Sequence, residues 1–232
     1  QVGETLYSID YDENNEKHLS MGEKINYAFN EKGFLVKQSV FNTGDTLKWH
    51  TSYNYDSKDN LIKQSIIHEE GWGTDFNIHF KYNNKGHLKK EVNTSQYLES
   101  FSFEYNNQGR ILKKKHLSKE NEVIKTSYYS YNSKGNIDSI ITKTNSGEIW
   151  SKQFYKYNKF SNITESYTGG EPVNCAGRNR WFYSYNSVGD VKKKRTHDLI
   201  VNYVYHYDKA INWTVKTSYY GGKPNFLVRR QI

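Results

Sequence analysis

The chain has 232 residues, of which 35% are hydrophobic, 16% aromatic and 25% charged, with a formal net charge of +8. So low a hydrophobic share excludes an ordinary thick-cored globular domain, where about 45–50% is usual, while 21 tyrosines exclude a disordered chain. A lone cysteine, Cys175, excludes a disulfide framework or a thiolate metal cluster, and no apolar run approaches the roughly 20 residues of a membrane-spanning helix.

In chain order, a partial unit over 1–26 comes first, with Tyr11-Asp12 as a decayed turn. The first full unit turns at Asn30, running from Tyr27 through Gly33 to Leu35. The copy over 53–61 carries Asp59 where the first has glycine. The clearest copy is Phe80-Lys81-Tyr82-Asn83-Asn84-Lys85-Gly86-His87-Leu88, and it returns over 103–111, 129–137 and 183–191. The copies over 155–163 and 205–213 replace the glycine by Ser161 and Ile211, and 209–232 closes the array as a C-terminal cap. Turn residues fall at 30, 56, 83, 106, 132, 158, 186 and 208, a spacing of 22 to 28 residues that signals a repeat architecture.

The unit has a physical reading. Asn or Asp at the first turn position bonds the backbone two residues on, and glycine three positions later supplies the left-handed conformation of a type I turn with a one-residue bulge. Asp59 can visit that conformation, whereas β-branched Ile211 predicts a last turn of different shape. The flanks alternate: Leu47, Trp49, Thr51, Tyr53 and Tyr55 share one face, and Lys48, His50, Ser52 and Asn54 the other. A second, irregular turn completes each unit. The fold expected is all-β: tandem antiparallel β-hairpin repeats, about eight units and 16–18 strands, in one repeat domain. The array curls on itself, stays a twisted single layer, or pairs through its aromatic face.

The signature Tyr-x-Tyr-Asn/Asp-x-x-Gly-x-Leu resembles the YD repeat of bacterial Rhs-type proteins, from about Tyr27 to about Trp213. The C-terminal run from Tyr207 through Trp213, followed by Gly221-Gly222-Lys223-Pro224, is similar to the closing segment of short secreted bacterial proteins with these repeats. The resemblance implies all-β structure and export. Long Rhs proteins wind dozens of repeats into a shell around a toxin; about eight units are too few to enclose a domain, so that function is not carried over, and no family catalytic residue maps here. The start at Gln1 is expected from removal of a secretory signal, which places the protein in the periplasm, outside the cell or on its surface.

Residues that could carry function lie where the repeat breaks. Trp72 sits at a turn tip between two glycines, and Trp150 and Phe154 alternate with Tyr155 and Tyr157, so both are expected on the opposite face. An aromatic on a solvent face can stack on a sugar ring, which makes Trp72, Trp150 and Trp181 the candidate ligand contacts. The segment 167–180 is the longest connection and adds Arg178 and Arg180 to that set. Two basic runs, Lys113-Lys114-Lys115 and Lys192-Lys193-Lys194-Arg195, either protect an edge strand or present a cationic patch; nucleic acid is not the expected partner, since only overall charge points to it. The eight histidines show no metal-ligand spacing, and no nucleophile or phosphate-loop motif is present. The expectation is a non-catalytic exported module, without cofactor or metal, that binds a cell-envelope glycan or partner protein. A polysaccharide-acting enzyme and a pure scaffold are the alternatives.

Overall fold

The repeated turns close in one way. In the computed structural model, which describes residues 2–11, 17–95, 97–169 and 180–231, the Asn83 side-chain oxygen accepts the backbone N–H groups of Lys85 and His87, and that of Asn106 those of Gln108 and Arg110. The same pair of bonds forms at Asn30, Asp56, Asn132, Asn158, Asn186 and Asp208. The fourth turn residue is left-handed, with φ of 78° at Gly86 and 77° at Gly109. Ile211 also adopts it, at φ 64°, so the last turn does not change shape as its sequence predicts. The bonds that Ala210 and Asn212 donate to Asp208 hold the isoleucine there against its preference.

Eighteen strands alternate with these turns. They are β1 Val2–Tyr11, β2 Lys17–Phe29, β3 Leu35–Phe41, β4 Leu47–Tyr55, β5 Leu61–His68 and β6 Phe76–Tyr82. β7 Leu88–Asn93, β8 Ser100–Tyr105, β9 Ile111–Leu117, β10 Val123–Tyr131, β11 Ile137–Thr144 and β12 Ile149–Tyr157 follow. β13 Ile163–Gly169, β14 Arg180–Tyr185, β15 Val191–Arg195, β16 Ile200–Tyr207, β17 Trp213–Tyr220 and β18 Lys223–Gln231 complete the chain. Each pairs antiparallel with its sequence neighbours, and β1 pairs with β18, Gly3 opposite Gln231 through Ser8 opposite Phe226. The sheet is therefore neither open nor merely curled: it is a closed up-and-down barrel. Arg230 seals the seam by donating to the Glu4 carboxylate at 2.6 and 2.9 Å.

The register sets the barrel's geometry. Tyr53 lies opposite Gln64, which lies opposite Ile78, two residues short of Phe80. Phe80 lies opposite Glu91, and Glu91 opposite Phe101, two short of Phe103. A stagger of about one residue per strand is the ratio of an eight-stranded barrel of shear 8, and tilts the strands by about 36°. At that tilt the equivalent aromatics of successive hairpins stand at one height. Eighteen strands about 4.8 Å apart, so tilted, enclose a circular section about 34 Å across.

Exposure distinguishes the two faces. Along β16, Ile200, Asn202, Val204 and His206 are exposed, while Val201, Tyr203, Tyr205 and Tyr207 are half-buried. Side chains splay on the convex side of a curved wall and converge on the concave side, so the tyrosine face is the lumen. A bulge after each turn keeps this phase: Leu61 pairs with Tyr55, and Ile62 is left exposed. Strands touch only their immediate neighbours, and side-chain links such as Lys125–Glu99 and Lys90–Asn121 reach no farther than the next strand but one. The accessible surface is 15265 Å², against about 11,000 Å² for a compact chain of this mass. The barrel is thus a thin wall around a hollow, and among the described residues Ile9, Val40, Ile66, Leu117 and Leu227 are the buried hydrophobic ones.

From the second unit to the seventh, the second aromatic staples hairpins together; the first unit has Phe29 there. The hydroxyl of Tyr55 donates to the carbonyl of Leu35, the first residue of the strand before it, at 2.9 Å. Tyr82, Tyr105, Tyr131, Tyr157 and Tyr185 repeat this bond to Leu61, Leu88, Ile111, Ile137 and Ile163 at 2.7–2.8 Å. The last unit departs, with Tyr207 donating to the Asp190 carboxylate at 2.5 Å and Tyr205 to the carbonyl of Val191 at 3.1 Å.

Candidate functional site

The first aromatic of each unit does different work. Tyr27, Tyr53, Phe80, Phe103, Tyr129, Tyr155 and Tyr183 project into the lumen at about one height, with Tyr205 two residues, about 7 Å, farther along its strand. Opposite them, in the same register, stand Gln38, Gln64, Glu91, Lys114, Ile140, Ser166, Lys194 and Lys216. Their neighbours hold several of the rings: Tyr53 donates to the Gln38 side-chain oxygen at 3.2 Å and Tyr155 to that of Gln153 at 3.0 Å. Partial burial raises the pKa of Tyr53, Tyr129 and Tyr155, and that of Tyr205 to about 12, with Asp190 adding to the last.

Cations lie over rings around this wall. Lys114 stands 3.4 Å from the centroid of Phe101, Lys194 3.9 Å from that of Trp181, and Lys216 4.8 Å from that of Tyr203. Lys48 lies over both Trp49 and Trp72, Lys125 over Trp150, and Arg230 over Trp213. All five tryptophans thus face a cation. Burial lowers the pKa of Lys114, with the charges of Glu91 and Glu99 pulling the other way.

A polar relay runs through β8 to β11. His116 Nδ1 donates to Glu99 at 2.6 Å, and Glu99 also accepts from Lys125 at 2.8 Å. That fixes the tautomer, so His116 Nε2 accepts from the Ser127 hydroxyl at 3.0 Å, and Thr142 donates to Ser127 at 2.8 Å. Burial works against ionising Glu99, but its hydrogen bonds from Lys125 and His116 prevail and lower its pKa. For His116, burial outweighs the Glu99 carboxylate and its pKa is lowered, leaving a neutral imidazole at pH 7. Sequence spacing gave no sign of this group, because Glu99 precedes β8, His116 lies in β9 and Ser127 in β10, and the three meet only through register. It has the order of a serine–histidine–carboxylate triad but not the surroundings of one. Ser127 is only 4% exposed and is paired in the ladder on both sides, to Lys114 and Thr142, so no free N–H pair is offered to an oxyanion. Among the described residues no three His, Cys, Asp or Glu side chains gather as a metal site.

Among the described residues the irregular connections lie at one end of the barrel, opposite the repeated turns. Trp72, in the β5–β6 connection, and Trp150 and Trp181, near the starts of β12 and β14, share this rim. The structure does not bring the three together: Trp72 and Trp150 are six strands apart, about 29 Å of wall. Trp150 was expected on the face opposite Tyr155. A bulge between the pairs Thr142–Ser151 and Lys143–Ile149 turns it instead to the lumenal Lys125, while Phe154 does face outward, stacked on Tyr167 at 4.8 Å. Arg180 points outward as well, to a shielded Glu165 that Lys156 also bonds. Arg178 and Cys175 lie outside the described residues.

The basic runs divide between the faces. Lys113 and Lys115 point outward to Glu104 at 3.6 and 2.6 Å, and Lys114 inward. Lys192, Lys193 and Arg195 lie on the outer side, with Arg195 over Phe182 at 4.4 Å, and Lys194 turns inward. Edge protection does not account for either run, since β9 and β15 are each paired on both sides.

No family model matches the sequence, and no curated protein matches it. Among solved structures, the chain is similar to a porin-like protein from Bacteroides uniformis, with a TM-score of 0.50 at 12% identity over 99% of this chain and 95% of that one. It is more distantly similar to a TcdB2-TccC3-TEV crystal structure, with a TM-score of 0.42 at 13% identity, and to the Tc holotoxin pore of Photorhabdus luminescens, at 0.41 and 15%. These matches cover 95% and 91% of this chain, which spans only 14% and 13% of the Tc chains. The first likeness is one of fold alone, and the Tc likenesses are too weak to bear on function.

Proposed function

We propose that the protein is a non-catalytic barrel of the bacterial cell envelope that takes a glycan chain into its lumen. The observation that carries this reading is the ring of inward aromatics, each faced in register by Gln, Glu, Ser, Lys or Ile. Aromatic rings beside polar hydrogen-bonding groups are what a sugar's apolar face and hydroxyls require, and a lumen of this width is open to water and polymer. The fold likeness to a porin-like protein supports an envelope location. Insertion in a bilayer is not part of the reading. A spanning strand needs about 9–11 residues, whereas β7, β8 and β14 have six and β15 five. The outward face would also set Lys63, His79, Lys115, Lys152 and Lys193 where a membrane barrel carries an apolar band.

The test is calorimetric titration of a panel of soluble neutral and anionic polysaccharides. Tyr129→Ala and Trp181→Ala should each weaken binding at least about tenfold, the loss of about 1.4 kcal/mol of ring contact, while outward Phe154→Ala leaves it unchanged. No binding by the intact protein at high concentration would favour a scaffold over a receptor.

A further inference from the structure

The wall around β17 carries a feature that the aromatic belt does not explain. On the lumenal face of β17 the sequence places Lys216, Ser218 and Tyr220 in a row. Ser218 is flanked across the ladders by two bulky groups, Tyr203 of β16 and Phe226 of β18. One small residue between tall neighbours makes a trough, and a cavity of about 310 Å³ opens there, lined by Leu6, Tyr203, Lys216, Ser218, Phe226 and Val228. A second cavity of about 250 Å³ shares Ser218 and Phe226 and continues past Val201 to Leu199. From Lys216 to Tyr220 the floor runs about 13 Å.

Two properties define what the trough would take. Its walls are apolar yet open to solvent, with Phe226 48% and Leu6 37% exposed, and clustered exposure of this kind marks a binding surface. At one end stands a single positive charge. The Lys216 ammonium lies over Tyr203 and Tyr205 and has no carboxylate partner among the described residues; Glu4, two strands away on β1, is held by Arg230. An apolar channel ending in one unpaired cation is complementary to a chain with one anionic end. We propose that this trough binds a free long-chain carboxylate, its head on Lys216 and its alkyl tail along Ser218 over Phe226 towards Val201. The cavity size falls in the range of small-molecule sites. The proposal is separable from the glycan reading, since of the ring and the groups that face it the trough uses only Lys216.

The probe is dodecanoate below its micellar concentration, titrated calorimetrically into the full chain. Dodecanol serves as the uncharged control and phosphatidylglycerol vesicles as the lipid-surface control. Ser218→Phe fills the trough and should abolish binding of both dodecanoate and dodecanol. Lys216→Met should weaken dodecanoate by about ten- to a hundred-fold, the range of a charge-assisted contact, and leave dodecanol unchanged. Thermal melts of both variants establish that they fold. Equal dodecanoate binding by wild type and Ser218→Phe would overturn the site. So would equal binding of dodecanoate and dodecanol by the wild type, or co-sedimentation with vesicles without dodecanoate binding. Polysaccharide titration of Ser218→Phe separates the two readings, because Ser218 is not among the residues that face the ring of aromatics and its substitution should not alter glycan binding.

Discussion

Ile211 offers a sharp test of the repeat's turn logic. It sits where five of the eight turns have glycine, at φ 64°, with 62% of its surface exposed. Holding a non-glycine residue in the left-handed region costs about 1–3 kcal/mol, the upper part of that range applying to a β-branched side chain. Ile211→Gly removes that strain and loses little burial. Against it, glycine restores about 0.4–1 kcal/mol of freedom to the unfolded chain. The balance is a gain of about 1 kcal/mol, which for a domain of this length raises the melting midpoint by about 2–4 °C. Urea denaturation followed by circular dichroism reads it as a higher midpoint at unchanged slope. The reverse change, Gly86→Ile, should lose about 1–3 kcal/mol for the same reason. A neutral or destabilising Ile211→Gly at unchanged slope would refute the reasoning, since it would mean that the turn at 208–212 does not hold Ile211 in a strained conformation.

Three further outcomes follow from the wall. Tyr105→Phe and Tyr157→Phe each delete one bond between hairpins and should cost about 0.5–1.5 kcal/mol, adding in the double variant because the sites are far apart; denaturant titration checks both. Burial raises the pKa of Tyr53, Tyr82, Tyr105, Tyr129, Tyr155 and Tyr205 above that of the unfolded chain. Their contribution is therefore complete below about pH 10 and is lost as pH rises through the folded values, so the urea midpoint should hold from pH 8 to 9 and fall between about pH 10 and 12, in step with tyrosinate absorbance. Ser127→Ala strands the ring nitrogen of His116 and should destabilise by about 1–3 kcal/mol, while a fluorophosphonate probe should leave no adduct on Ser127 by mass spectrometry; an adduct would revive the enzymatic alternative.

Much of the wall was legible in the sequence because its rules are local. The turn at Asn83 needs only Lys85, Gly86 and His87, and the tyrosine face needs only alternation. Closure depends instead on Glu4 meeting Arg230, 226 positions away, and no period of 22 to 28 residues states whether the array's ends meet. Because closure was hidden, the lysines of β9 and β15 read as edge guards when the barrel has no edge there. Lys114 and Lys194 turn inward only through the bulge that follows each turn, and their aromatic partners, Phe101 and Trp181, come from the preceding strand, so both needed the register. The bulge that turns Trp150 to Lys125, and the assembly of Glu99, His116 and Ser127, lie beyond single-strand periodicity for the same reason. At Ile211 intrinsic preference gave way to the two bonds that Asp208 accepts.

The central claim is that the eighteen strands close around a hollow. Its most direct test is the distance between spin labels at positions 5 and 229, with Cys175 changed to Ser, measured by double electron–electron resonance. Thr5 and Arg229 are cross-strand neighbours in the closed barrel, which predicts labels within about 20 Å, a strand spacing plus two label tethers. An open array of the same strands would hold them about 80 Å apart, and that distance would contradict the closure on which the lumen rests.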